Sequence, residues 1–127
     1  MTHKKLEVDV LIAGGGLVGG TLAVGLVKGG LSVAVVDKLD PLAGIDAGFD
    51  GRAAAIALSS KRALDGLGLW DMMQPDPSPI KEIRVSDADS CFFMHYDRKA
   101  VGAEAFGYMV ENRSFRKSLR ACFKELR

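Results

Sequence analysis

The stretch Val8-Asp9-Val10-Leu11-Ile12-Ala13-Gly14-Gly15-Gly16-Leu17-Val18-Gly19 decides the fold. An apolar run meets a glycine-rich turn, and the turn opens a segment with helical spacing. Leu22, Ala23, Leu26 and Val27 fall on one face of it, which predicts a helix from about Leu17 to Lys28. Gly29-Gly30 stops that helix, because glycine takes the left-handed conformation in which helices end. Leu31-Ser32-Val33-Ala34-Val35-Val36-Asp37 follows, an apolar strand closed by an acid. The unbroken apolar run from Val33 to Val36 suits a parallel strand covered on both faces. Strand, turn, helix and strand make one βαβ unit of an α/β protein.

Glycines spaced as Gly14, Gly16 and Gly19 occur in many turns. The strand before them, the helix after them and the acid beyond are what a dinucleotide-binding turn requires. Gly14 permits the tight turn off the strand. Gly16 has no Cβ, so a pyrophosphate can approach the backbone, and Gly19 lets helix and strand pack closely. The helix start offers unpaired N–H groups and the positive end of its dipole to phosphate. Asp37 stands 18 residues after Gly19. A carboxylate there accepts hydrogen bonds from ribose hydroxyls and repels a 2′-phosphate, which favours FAD or NAD over NADP. The candidate cofactor contacts in this unit are Gly14, Gly16, Leu17, Val18, Gly19, Asp37 and Lys38.

Other readings of the same stretch fail. A membrane span from Val8 to Val27 would carry Asp9 and six glycines. A signal peptide would not have Glu7 and Asp9 before a glycine-broken apolar run. The net charge of +1 supplies no basic field for nucleic acid. Cys91 and Cys122 form no CxxC pair and no metal spacing with His3 or His95, so no metal site is expected and reduced thiols in a cytoplasmic protein are the default. At 127 residues and 48% hydrophobic content the chain can bury one sizeable core.

Residues 38–51 read as a loop, with Pro41, Gly44, Gly48 and Gly51 among Asp40, Asp46 and Asp50. Ser59 or Ser60 is the expected cap of a short helix carrying Ala63, Leu64 and Leu67. Gly66 and Gly68 end it, and Trp70 anchors the core. Gln74-Pro75-Asp76-Pro77-Ser78-Pro79 is a rigid extended connection. Ile83 and Val85 alternate with charges as in a half-exposed strand. Asp87-Ala88-Asp89-Ser90 is a turn, and Cys91-Phe92-Phe93-Met94-His95-Tyr96 is the antiparallel partner, with Phe92 and Phe93 in the core or on the sheet face. A last helix begins at Asn112 or Ser114, one of which caps it. Phe115, Leu119, Cys122, Phe123 and Leu126 lie on one face, and Arg116 sits on the helix surface. Only two parallel strands are legible and the chain stops inside an amphipathic helix. It therefore reads as the N-terminal part of a longer protein, whose missing C-terminal half would be its partner.

Four stretches resemble the flavin-dependent aromatic hydroxylases of the p-hydroxybenzoate hydroxylase type, and most closely their ubiquinone-biosynthesis branch. They are Gly14 to Asp37; Asp50-Gly51-Arg52-Ala53-Ala54-Ala55-Ile56-Ala57-Leu58-Ser59; Leu64-Asp65-Gly66-Leu67-Gly68-Leu69-Trp70; and Gly107-Tyr108-Met109-Val110-Glu111-Asn112-Arg113. The resemblance implies FAD as cofactor, NAD(P)H as electron donor, and hydroxylation of an aromatic ubiquinone precursor with O₂. It implies that Arg52 approaches the FAD phosphates, where a guanidinium makes paired charge-assisted hydrogen bonds. It also implies that Glu111 and Asn112 lie where the chain returns to the flavin. Residues 1–74 would then be the FAD-binding part, 75–110 a β-hairpin region of the substrate domain, and 111–127 a helix returning to the FAD domain. A cytoplasmic location follows, with room for peripheral attachment to the inner membrane or to a ubiquinone-biosynthesis complex. No catalytic residue is assigned, because the flavin carries the oxygen-transfer chemistry and most of the pocket would lie outside this chain. Two rival readings are an NAD-binding dehydrogenase domain, which requires a regular βαβαβ continuation after Asp37, and a noncatalytic nucleotide-binding module.

Overall fold

The computed structural model describes residues 5–39 and 48–126. His3 and residues 40–47 of the expected loop, with Asp40, Pro41, Gly44 and Asp46, lie outside the described residues. The chain opens with β1 (Val10–Ala13), α1 (Leu17–Lys28) and β2 (Val33–Val36). The first two strands pair in parallel, Val10 opposite Val33 through Ala13 opposite Val36. Asp9 and Ser32 lock the start of this pair: the Ser32 hydroxyl and N–H donate to the Asp9 carboxylate at 2.6 and 2.8 Å. At the far end of α1 it is Gly30, with φ of 90°, that takes the left-handed turn. Helix α1 packs on the strand pair and buries Ile12, Ala23 and Val24. The expected cover on both faces of β2 is not seen. Val36 and Leu11 stay exposed because a single helix covers only one face of the pair, and Val35, on the covered face opposite Ile12, is only partly shielded.

After the loop come β3 (Ala53–Ala57) and α2 (Leu58–Gly66), then β4 (Ser78–Ile80), the β5 (Glu82–Ser86) and β6 (Phe93–Asp97) hairpin, β7 (Gly107–Glu111) and α3 (Asn112–Glu125). Strand β7 lies between β3 and β4, antiparallel to both. This three-stranded sheet was not foreseen. Alanine has little preference for strands, so Ala53-Ala54-Ala55 gives no pattern to read. The chain also does not continue as βαβαβ: β3 pairs with β7 and not with β1 or β2.

Both later helices start without the caps the sequence suggested. Strand β3 runs straight into α2, so Ala57 holds the cap position and Ser59 and Ser60 are already helical. Strand β7 runs straight into α3 in the same way. Glu111 holds the cap position, and Asn112 and Ser114 lie inside the first turn. In α3 the buried face is Phe115, Ser118, Leu119 and Cys122. It packs with Val24, Ile56, Leu64, Leu69, Trp70, Met73 and Val110 in one core. Trp70 is the expected anchor; it is buried and meets the Tyr108 ring edge-on at 5.1 Å between centroids.

Two close approaches set how these elements meet. A Cβ at Gly20 would lie 2.9 Å from Leu119 Cδ1, so α1 and α3 pack at that glycine. A Cβ at Gly107 would strike the Ile56 carbonyl, so β7 reaches β3 only with glycine there. The β5–β6 hairpin forms its own two-stranded sheet. Its register puts Ile83, Val85, Met94 and Tyr96 on one face and Glu82, Arg84, His95 and Asp97 on the other. It is more open than the expected half-exposed strand, since every residue of β5 is exposed. Phe92 and Phe93 lie outside the core, 81% and 58% exposed.

Candidate functional site

The turn between β1 and α1 is built as its sequence requires. Gly14 has φ of 103°, a conformation that side chains rarely adopt. Its N–H donates to the Val36 carbonyl at 2.7 Å, which extends the strand pair into the turn. A Cβ at Gly19 would run into the Gly14 carbonyl oxygen and lie 3.3 Å from Ile12 Cγ2, so this glycine serves the close packing of helix on strand. Gly16 is different. It has ordinary extended angles, and a Cβ there would meet nothing within 4 Å. Among the described residues no packing requires a glycine there, and the backbone at that position is open to close approach.

The helix start is bare. Gly16 holds the cap position without a side-chain hydrogen bond, and the first turn carries no acid. The first N–H groups of α1, at Leu17, Val18 and Gly19, therefore have no capping side chain and lie at the positive end of the helix dipole. Val18 is exposed and Leu17 packs against the core, so neither side chain caps the helix start.

Asp37 lies at this same turn. Its carboxylate accepts the Gly15 N–H at 2.6 Å and the Leu39 N–H at 2.9 Å. Those two backbone donors, Leu39 foremost, hold its carboxyl below the usual carboxylate value, so it is ionised at neutral pH. A negative charge thus stands at the end of β2, beside the glycine turn. Lys38 follows it, exposed.

A second group forms where β3 begins and β7 ends. The Asn112 N–H donates to the Arg52 carbonyl at 3.0 Å, and Ala53 pairs with Glu111. The fold thereby brings Arg52, Glu111 and Asn112 together across 60 residues of sequence. The Arg52 guanidinium is engaged with Asp50, through Nε at 2.9 Å and a terminal nitrogen at 2.6 Å, and its side chain stays 61% exposed. Arg52 in turn lowers the Asp50 carboxyl. Glu111 accepts from Arg113 Nε. Asn112 Oδ1 is buried and has no hydrogen-bond partner among the described residues, which is uncommon for a buried acceptor. Asp50 and Asp76 are polar partners in this region that the sequence reading did not single out. Asp76 accepts the Glu111 N–H at 2.8 Å.

Among the described residues no cluster of His, Cys, Asp and Glu could hold a metal ion. His95 lies 3.4 Å from Glu82 on the hairpin surface. Cys91 is exposed, while burial pushes the Cys122 thiol up.

An open backbone at Gly16, an uncapped helix start and an acid beside the turn fit the pyrophosphate and ribose of a dinucleotide. Residues 7–112 match the family model of the FAD binding domain. The chain belongs to the FAD-binding domain family. This FAD-binding domain is 52% identical over 111 residues to ubiquinone hydroxylase UbiL of Rhodospirillum rubrum, a match covering 87% of this chain and 26% of that protein. It is 33% identical over 121 residues to 3-demethoxyubiquinol 3-hydroxylase of Escherichia coli, covering 94% and 30%. Among solved structures, p-nitrophenol 4-monooxygenase PnpA of Pseudomonas putida superimposes with a TM-score of 0.66 at 21% identity, over 92% of this chain and 28% of that one. That likeness is one of fold. The FAD-binding domain spans under a third of the length of these curated relatives. No helix among the described residues is long and apolar enough to cross a membrane.

Proposed function

We propose that this chain is the FAD-binding part of a flavin-dependent monooxygenase that hydroxylates an aromatic ubiquinone precursor with O₂ and NAD(P)H. The observation that carries the cofactor assignment is Gly16, which stands at an uncapped helix start with no described atom within 4 Å of where a side chain would begin, so its backbone is open to close approach. The names of two relatives, a ubiquinone hydroxylase and a 3-demethoxyubiquinol 3-hydroxylase, support the substrate class.

In this reading the N–H groups of Leu17, Val18 and Gly19 receive the pyrophosphate, and Gly14 and Gly16 keep the path to them clear. The Asp37 carboxylate accepts from ribose hydroxyls while its bond to Gly15 holds it in place. Arg52 turns from Asp50 to the phosphates, an exchange of one anionic partner for another at an exposed position. Glu111 and Asn112 face the flavin side of the cofactor. Bound FAD supplies the chemistry of oxygen activation and ring hydroxylation. The β5–β6 hairpin belongs to the substrate domain, with β4 and β7 as the crossings to and from it. The remainder of the protein completes the substrate pocket, and any attachment to a membrane or to an assembly of biosynthetic enzymes resides with the whole protein.

The test is titration of the purified chain with FAD, NAD and NADP, followed by flavin fluorescence and calorimetry. FAD should bind more tightly than NADP, whose 2′-phosphate meets the Asp37 charge. Tighter binding of NADP would overturn the assignment. In the intact enzyme, consumption of NAD(P)H and O₂ should depend on added phenolic ubiquinone precursor.

A further inference from the structure

Asp76 lies in the proline-flanked connection before β4, far in sequence from the glycine turn. Its carboxylate nevertheless accepts the Glu111 N–H at 2.8 Å. The register shows why this bond exists. Strand β4 meets β7 at Ser78 opposite Met109, Pro79 opposite Tyr108 and Ile80 opposite Gly107. Extending that register by two residues sets Asp76 opposite Glu111, after the β4–β7 pairing has ended. A side-chain carboxylate takes over from the backbone and satisfies the last N–H of β7. Asp76 is itself held, since its N–H donates to the Met73 carbonyl at 3.1 Å and Met73 is fully buried.

The end of β7 is thus fixed from two sides. Asp76 holds Glu111 from the β4 side, and the Arg52 carbonyl holds the Asn112 N–H from the β3 side. Between these anchors lie the Glu111 carboxylate, which accepts from Arg113 Nε, and the buried Asn112 Oδ1, which has no partner among the described residues. We infer that Asp76 is a positioning residue for FAD: it touches no cofactor atom but sets the direction in which Glu111 and Asn112 face it. The inference rests on the FAD reading above. Groups that contact a ligand depend on such supporting bonds for their placement, and a displacement of order one ångström is costly.

The experiment measures FAD affinity of the purified chain carrying Asp76→Ala, Asn112→Ala and both, with amide hydrogen exchange as the structural readout. Asp76→Ala should weaken FAD binding about tenfold, because Glu111 and Asn112 are then displaced from the geometry the ligand needs. Exchange should quicken at Glu111 and Asn112 and stay unchanged in β1, α1 and β2. Asp76→Asn, whose amide oxygen can still accept from Glu111, should restore most of the affinity. With Asn112 already alanine, Asp76→Ala should cost less than it does alone, because part of its effect runs through Asn112. Should the alanine variant fail to fold, Asp76→Glu decides. It keeps the charge but displaces the acceptor, and should weaken FAD severalfold where Asp76→Asn does not. Unchanged affinity in the folded Asp76→Ala protein, or fully multiplicative effects in the double variant, overturns the inference alone. A wild-type chain that binds no FAD overturns it together with the reading it rests on.

Discussion

One methyl group at Gly16 and one at Gly19 should have opposite consequences. In Gly16→Ala the backbone, at φ −68° and ψ −167°, suits alanine, and the new Cβ meets no atom within 4 Å. Loss of a glycine cap costs the helix up to about 1 kcal/mol. Restricting the unfolded chain returns about 0.4–1 kcal/mol, so the variant should lose no more than about 0.6 kcal/mol of stability. The methyl does occupy the approach to the helix N–H groups. Losing one charge-assisted bond to phosphate costs about 1.5–3 kcal/mol, or roughly 10- to 100-fold in FAD affinity. In Gly19→Ala the Cβ collides with the Gly14 carbonyl oxygen and lies 3.1 Å from its carbon. Backbone cannot rotate aside as a side chain can, so the cost reaches or exceeds the usual overpacking range of about 1–3 kcal/mol. Urea unfolding followed by circular dichroism reads the first quantity, and flavin titration reads the second. Wild-type FAD affinity in Gly16→Ala, or a wild-type unfolding midpoint in Gly19→Ala, would refute the division of roles between the two glycines.

Asp37 also predicts a pH response. A carboxyl lowered on folding contributes stability above its ordinary value of 3.8, and that contribution vanishes as pH falls through the lower folded value. The urea midpoint of the wild type should therefore drop more steeply below about pH 4 than that of Asp37→Asn; parallel curves would show that the bonds to Gly15 and Leu39 do not persist in solution. The helix contact at Gly20 can be tested through its partner. Leu119→Ala should cost about 2–5 kcal/mol as a buried leucine does, and Gly20→Ala should cost less in that background than alone, because the methyl then enters the space Leu119 leaves. Strictly additive unfolding energies would mean that α1 and α3 do not pack at this point.

The βαβ unit and its turn were legible because they rest on short-range physics. The period of the apolar residues, the stop at Gly29-Gly30 and the need for glycine at Gly14 act within a few residues of chain. They gave α1 its observed limits, Leu17 and Lys28, and picked out the turn and Asp37. The helix starts at Ala57 and Glu111 were misread for a related reason. Capping by serine or asparagine presumes a loop before the helix, and here a strand enters each helix directly.

What the sequence alone determined, then, is the chemistry the turn can support and the family whose motifs the chain carries. Which distant residues stand together was decided only by the tertiary structure. Ala53–Ala57 is a strand because Gly107 lets β7 come close enough to pair with it, not because alanine favours extension. That one pairing joins Arg52 to Asn112, and the end of its partner ladder joins Asp76 to Glu111. The bond from Gly15 to Asp37 likewise crosses 22 residues. Contacts of this kind depend on register and on the close approach of elements far apart in the chain, and no local pattern of residues records either.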